Sequence, residues 1–269
     1  MRFTKMNGLG NDYIFVDTKA ERVVDPQNLA KKLSDRHFSV GGDGLVLIGK
    51  SDVADLSMRI FNSDGSEAEL CGNALRCVGK YAYDNGLVRT TKITVETLAG
   101  VKKVAVFLDE YGCVKNASVT IGRAMKGFLH YPFHTEATAF GVRYNGYCVS
   151  VGNPHFVIFV REFGVDLPAV GEQISRRNGV FSCGANVEFV KPTKQGLSVR
   201  VIERGSGETY ACGTGAAATF FVAKETGLVV DKAVIRLKGG TLSCTMTNKN
   251  EINVFGEVCE NFTGEVKTE

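Results

Sequence analysis

The strongest constraint on the fold of this chain is that its first half nearly recurs in its second. Gly10-Asn11-Asp12-Tyr13-Ile14-Phe15-Val16 resembles Gly152-Asn153-Pro154-His155-Phe156-Val157-Ile158, and 153 − 11 = 142. Gly41-Gly42-Asp43-Gly44-Leu45 loosely matches Cys183-Gly184-Ala185-Asn186-Val187 at the same offset, since 183 − 41 = 142. Cys71-Gly72-Asn73-Ala74 matches Cys212-Gly213-Thr214-Gly215 at 212 − 71 = 141. Three matches in one order at one spacing argue for two similar halves. The period is far above the 20–50 residues of a solenoid, so a pair of related domains is expected.

Within each half the pattern is mostly strand. Runs rich in β-branched and aromatic residues predict strands over 13–17, 45–48, 56–62, 92–97 and 102–108. In the second half they predict strands over 147–151, 155–160, 186–190, 197–203, 233–237, 242–247 and 252–255. Three helices are expected. One runs from Asp25 to Asp35, opening on Asp25 before Pro26. The others run from Gly72 to Asn85 and from Gly213 to Gly227, and each stops at Gly or Asn-Gly. The turn-rich stretch Asp109-Glu110-Tyr111-Gly112 places the expected linker near Gly112–Ser118. The expected domains are 1–115 and 116–257, with room for a C-terminal tail of about 258–269 to pack back onto the first.

Composition excludes several classes. With 269 residues, 44% of them hydrophobic, the chain can bury a large core. Its net charge of +3 comes from scattered Lys and Arg, which gives no case for nucleic acid. No apolar run approaches the length of a membrane span, and the N-terminus has no apolar signal region, so a cytoplasmic protein without membrane contact is expected. The eight cysteines form no C-x-x-C pair and only four histidines accompany them, so neither a disulfide scaffold nor a metal site is expected. Most of these thiols read as small buried hydrophobes.

Two cysteines stand apart. Cys71 and Cys212 each follow a polar, Gly-containing loop and each opens a helix. A helix start presents unpaired amides and the positive end of a dipole, which favours an anion such as a carboxylate. The same field is expected to lower a thiol's pKa. Gly72 and Gly213 remove side chains beside each sulfur, so a ligand can approach the backbone. A pair of equivalent thiols suits inversion of a carbon that bears one hydrogen, where a base works on one face and an acid on the other. Helix amides on the carboxylate would stabilise the charge that develops. The alternative reading is two buried helix-start thiols or a structural disulfide. The equivalence of the two contexts favours the paired function.

These segments closely resemble the diaminopimelate epimerase family. The residues that carry the likeness are Asn7 to Asp12, Asn62 to Ser66, Cys71-Gly72-Asn73, Gly152 to His155, Asn186 to Phe189, and the block from Glu203 to Gly215. They span nearly the whole chain in order. The resemblance implies an α+β fold of two pseudo-symmetric domains, each a barrel-like β-sheet around a central helix. It further implies a cytoplasmic homodimer that needs no pyridoxal phosphate, no other cofactor and no metal. The implied reaction interconverts L,L- and meso-diaminopimelate for lysine and peptidoglycan synthesis.

By position, the family implies that Cys71 and Cys212 are the acid/base thiols. Gly72, Asn73, Gly213 and Thr214 become the clamp on the reacting carboxylate. Asn11, Asn62, Asn153, Asn186 and Arg204 become binding residues, with Arg204 toward the distal end. His155 and Glu203 tune the thiols, and Glu203 also helps to hold the substrate ammonium. Their types fit a diamino diacid, because Asn both donates and accepts and Arg suits a carboxylate. Taken singly, Asn11 and Asn153 also read as turn residues, His155 as a core histidine, and Glu203 with Arg204 as a surface ion pair. The chain departs from the family pattern at Gly44, Ser63, Ala74 and Ala185, and Gly44 and Ala185 bear on the distal contacts. Competing readings are a racemase of another amino acid such as histidine or glutamate, a phenazine-pathway type of isomerase, which lacks the cysteine pair, and a redox-responsive dithiol binding protein.

Overall fold

The computed structural model describes residues 1–176 and 179–267. The chain divides into two compact units, one made of Met1–Val119 with Gly256–Glu269 and the other of Thr120–Phe255. In chain order the first contains β1 (Arg2–Gly8), β2 (Asn11–Asp17), α1 (Pro26–Ser34), β3 (Gly44–Gly49), β4 (Leu56–Asn62), β5 (Glu67–Ala68), α2 (Gly72–Asp84), β6 (Lys92–Thr97) and β7 (Gly100–Leu108), followed by β8 (Val114–Gly122). The second holds β9 (Met125–Lys126), β10 (His134–Ala139), β11 (Val142–Ser150), β12 (Pro154–Phe159), α3 (Leu167–Ser175), β13 (Asn186–Thr193), β14 (Gly196–Glu203), β15 (Gly207–Thr209), α4 (Gly213–Glu225), β16 (Lys232–Leu237) and β17 (Gly240–Met246), followed by β18 (Ile252–Glu257). The last strand, β19 (Cys259–Glu265), pairs antiparallel with β1.

The pairing repeats strand for strand inside the two units. In the first, β1 and β2 are antiparallel, β2 and β3 parallel, β3 and β4 antiparallel, β4 and β6 parallel, and β6 and β7 antiparallel. In the second the same sequence runs through β11, β12, β13, β14, β16 and β17. Each parallel pair needs a crossover, and a helix supplies it in every case. Helices α1 and α2 serve the first unit, α3 and α4 the second.

Helix α2 lies against the neighbours β1 and β2 and also against β7, at the far end of the strand order, so the sheet curls round it. Helix α4 touches β11, β12, β13, β16 and β17 in the same way. The sequences explain this. Ala216 to Ala223 is buried throughout and apolar except for Thr219, as a helix surrounded by sheet must nearly be. Burying each of Phe220 and Val222 contributes about 1.5–3 kcal/mol. Helices α1 and α3 pack on other strand faces. Leu33 of α1 shares a buried cluster with Ile14, Leu45 and Phe61, and Ile174 of α3 shares one with Phe156, Phe189 and Ile202. Strands sandwiched between helices are covered on both faces and read as continuous apolar runs, such as Leu45 to Ile48.

The three expected helices form within a residue or two of their expected ends. Asp25 caps α1, its carboxylate accepting from the Asn28 amide at 3.2 Å. Gly86 and Gly227 follow the ends of α2 and α4 at φ +68° and +76°. The sequence reading has no counterpart of α3, nor of β1, β5, β8, β9, β10, β15 and β19. The turn at Asp109–Gly112 closes on itself, Asp109 N donating to Cys113 O at 2.8 Å. The chain beyond it is strand β8 where a linker was expected.

Candidate active site

Each unit places its special cysteine at the N-cap of its central helix. Cys71 has φ −133° and ψ 116°, and Cys212 has φ −125° and ψ 114°. Both sulfurs accept from the amide three residues on, Ala74 N at 3.5 Å and Gly215 N at 3.3 Å. The amides of Gly72 and Asn73, and of Gly213 and Thr214, stand at the positive ends of the helices, where an anion is favoured.

In the first unit Asn11 lies at the start of β2, and its Oδ1 is 3.3 Å from Cys71 Sγ and 3.1 Å from Asn73 Nδ2. Its Nδ2 donates to Asp43 Oδ2 at 2.6 Å. Arg76, fully buried in α2, donates from Nη2 to Asn73 Oδ1 at 2.9 Å. Asn62 sits at the end of β4, donating to Ser66 Oγ at 3.0 Å, and pairs in register with Gly44. Asn11, Cys71 and Asn73 are therefore joined by hydrogen bonds, while Asn62 lies two strands away from Tyr13.

Gly44 stands in a confined place. A Cβ there would overlap the Phe61 carbonyl oxygen and press on Tyr13 Cε1 at 3.1 Å. Tyr13, the register partner of Gly44, is buried, and its hydroxyl hydrogen-bonds with Cys71 and Asn11. The phenol fills the space that a longer residue 44 would need. Gly44→Ala is expected to destabilise the protein by about 1–3 kcal/mol, read as a lower urea midpoint. An unchanged midpoint would show that β3 and β4 yield freely.

In the second unit His155 and Asn186 are register partners on β12 and β13. The His155 ring is buried and held at both nitrogens, Nδ1 at 2.7 Å from Glu188 Oε1 and Nε2 at 3.0 Å from Asn153 Oδ1. Asn186 Oδ1 accepts from the Arg204 amide at 2.9 Å, and Arg204 Nη1 donates to Cys183 O at 2.7 Å. Glu203 accepts from Thr209 Oγ1 at 2.6 Å and hydrogen-bonds with Cys212. It makes no ion pair with Arg204 among the described residues. Thr214 Oγ1 is 3.4 Å from Cys212 Sγ.

Electrostatics correct one expectation. The helix start was expected to lower the thiol pKa. Cys212 goes the other way. Burial pushes its thiol well above the ordinary range, the Glu203 and Glu188 carboxylates add to that, and the bonds from Thr214 and the Gly215 amide oppose it without prevailing. Burial also raises the Glu203 carboxyl, against bonds from Thr209 and Cys212.

Glu188, Asp43 and Tyr13 carry no role in the sequence reading. Glu188 had a signal: a charged residue inside the run Asn186 to Val190, where every residue is buried, is rare without a partner. Gly215 makes room for it, since a Cβ at 215 would stand 2.7 Å from Glu188 Oε1.

The comparisons with known proteins agree with one another. A family model described as diaminopimelate epimerase matches residues 3–125 and 147–259. The diaminopimelate epimerase of Acetivibrio thermocellus is 43% identical, with 99% of this chain and 98% of that one covered. That of Methanococcus maripaludis is 42% identical, with 99% of each covered. Among solved structures, a phenazine biosynthesis protein of the PhzF family from Bacillus anthracis superposes with a TM-score of 0.73 at 16% identity, covering 99% of each chain, which is a likeness of fold.

Proposed function

The chain belongs to the diaminopimelate epimerase family, and from that premise we propose that it inverts the α-carbon of diaminopimelate with Cys71 and Cys212 as its two acid/base groups. It is an amino-acid epimerase, an isomerase of lysine biosynthesis that interconverts the L,L and meso forms. The observation that carries the assignment of residues is the shared N-cap geometry of the two thiols, each beside two amides at a helix start.

The chemistry follows from those parts. A thiolate takes the α-proton from one face as the opposing thiol gives its own proton to the other. Electron pairs and protons balance, because one S–H forms as the other breaks, and no redox partner is needed. The carbanion's charge spreads into the carboxylate. Amides of Gly72, Asn73, Gly213 and Thr214 meet that charge already oriented, which is where such sites gain most. Asn11, Asn62, Asn153 and Asn186 give neutral donors and acceptors for a substrate with two carboxylates and two ammoniums. Arg204, fixed through Cys183 O, suits the distal carboxylate. Glu203 supplies an acceptor for the ammonium, and His155, clamped between Glu188 and Asn153, sets the surroundings of Cys212. We further assign the homodimeric state and the cytoplasmic setting that the family resemblance implies. Sedimentation velocity tests the first.

Incubation of the reduced protein with L,L-diaminopimelate in deuterated water, with no added cofactor, is expected to give meso product carrying deuterium at the inverted carbon, as read by NMR. Exchange with another amino acid alone would keep the two-thiol chemistry and change the substrate. Absence of any exchange would leave the dithiol binder as the better reading.

A further inference from the structure

We propose that Asp43 is a positioning residue for Cys71, acting through the amide of Asn11, at the end of a hydrogen-bond relay of fixed direction that runs Arg76–Asn73–Asn11–Asp43. The inference rests on the reading of Cys71 as an acid/base thiol, and deepens it.

An asparagine amide can turn either end toward a neighbour, and ordinarily nothing but its partners decides which. Here both ends of the chain of bonds are decided. A guanidinium only donates, so Arg76 Nη2 fixes Asn73 Oδ1 toward itself at 2.9 Å. Asn73 Nδ2 then points at Asn11 Oδ1, 3.1 Å away. At the other end, Asp43 is ion-paired with Arg36 at 2.9 Å, and a carboxylate only accepts. Its Oδ2 takes the Asn11 Nδ2 at 2.6 Å and the Asp12 amide at 3.1 Å. Asn11 is thereby left with one orientation. Its carbonyl oxygen faces Cys71 Sγ at 3.3 Å. That oxygen accepts a thiol proton and gives nothing to a thiolate, so the relay favours the protonated form of Cys71.

Among the described residues the second unit has no such relay. The position equivalent to Asp43 is Ala185, as 185 − 43 = 142, and Asn153, the equivalent of Asn11, is held by His155 Nε2. Each thiol has its own device. Among the described residues, Tyr13 from β2 and Cys77 from α2 also bear on Cys71, Arg76 reaches it through Asn73 and Asn11, and Arg36 bears on it through Asp43.

The test compares two substitutions. Asp43→Ala removes the acceptor and lets Asn11 present its NH2 to the sulfur. Asp43→Asn removes the charge but keeps an oxygen for Asn11 and Asp12. Iodoacetamide labelling of the reduced, substrate-free protein against pH, with Cys71 and Cys212 resolved by peptide mass spectrometry, reads each thiol without needing turnover. The expected result is a Cys71 midpoint lower by about half a unit in Asp43→Ala, seen as about threefold faster labelling below the midpoint. Asp43→Asn and the Cys212 profile should stay within error of the parent. Equal shifts in both variants would overturn the proposal in favour of charge alone, and no shift in either would overturn it outright. Should Asp43→Ala fail to fold, Asp43→Ser, too short to reach the Asn11 amide, takes its place. Failure of the epimerase reading would show as absent deuterium exchange in the parent protein and would leave the labelling profiles untouched.

Discussion

Replacing either Cys71 or Cys212 by serine is expected to lower kcat for epimerisation by about a thousandfold or more while KM changes by less than about threefold. General acid or base transfer from a positioned side chain is worth about 10²–10⁴, and inversion uses one transfer on each face. A serine hydroxyl is far less acidic than a thiol, whose ordinary pKa is about 8.5, so it neither takes nor gives the proton at a useful rate. The split between kcat and KM makes the prediction specific. Serine is among the best N-cap residues, so α2 and α4 keep their caps, and the amides beside them keep their place. The fold and the carboxylate site survive while the proton transfer does not. Thermal melts of the two variants should therefore lie close to that of the parent. A halogenated analogue, whose elimination needs only a base, should still react with the variant that keeps that base. A serine variant of either residue with kcat within tenfold of the parent would refute the two-thiol assignment.

How much of this was legible in the sequence depends on what kind of force decided each feature. The repeat was legible because it is a pattern of residue types, and the paired strand orders of the two units follow it. Helix α3 was missed because Leu167–Ser175 carries Pro168 in its first turn and Gly171 in its middle, and no side chain caps its start. The repeat itself marks it, since Pro168 stands 168 − 26 = 142 after Pro26, which opens α1. Strand β19 gives little signal, because Cys259 to Phe262 is exposed and without alternation, and its register with β1 depends on a contact across the length of the chain. The thiol cap positions were legible from local rules. The direction of the Cys212 shift was not, because burial sets it first and the carboxylates of Glu203 on β14 and Glu188 on β13 add to it, and only the fold supplies these surroundings. Asp43 was hidden for the opposite reason. Gly41 to Gly44 reads as a turn, and nothing in a turn says that its one carboxylate orients an amide on a neighbouring strand.

The other large effect is expected from thiols that have no place in the chemistry. Cys77 and Cys148 are wholly buried, and burial pushes each to about 12, against an ordinary value of about 8.5. The sign is set by proton binding. Below pH about 8 these thiols are protonated in both the folded and the unfolded chain, and stability does not depend on them. Between pH 9 and pH 12 the unfolded chain has released these protons and the native protein retains them. Stability must then fall as pH rises, by about 1.4 kcal/mol per pH unit for each thiol. Two such groups would remove about 3 kcal/mol per unit, a large share of a total that is usually about 5–15 kcal/mol. Tyr13, raised by burial and by Cys71, steepens the fall above pH about 10. Urea unfolding at pH 8, 9.5 and 10.5 should show the decline. The double variant Cys77→Ala with Cys148→Ala starts from a lower stability, because each substitution leaves a small void. Its decline should nevertheless be shallower by about 3 kcal/mol per pH unit, since alanine has no proton to hold. Lysines and exposed groups titrate alike in both proteins and cancel in the difference. Equal slopes in parent and double variant would mean that these thiols ionise inside the fold, and that burial does not hold their protons.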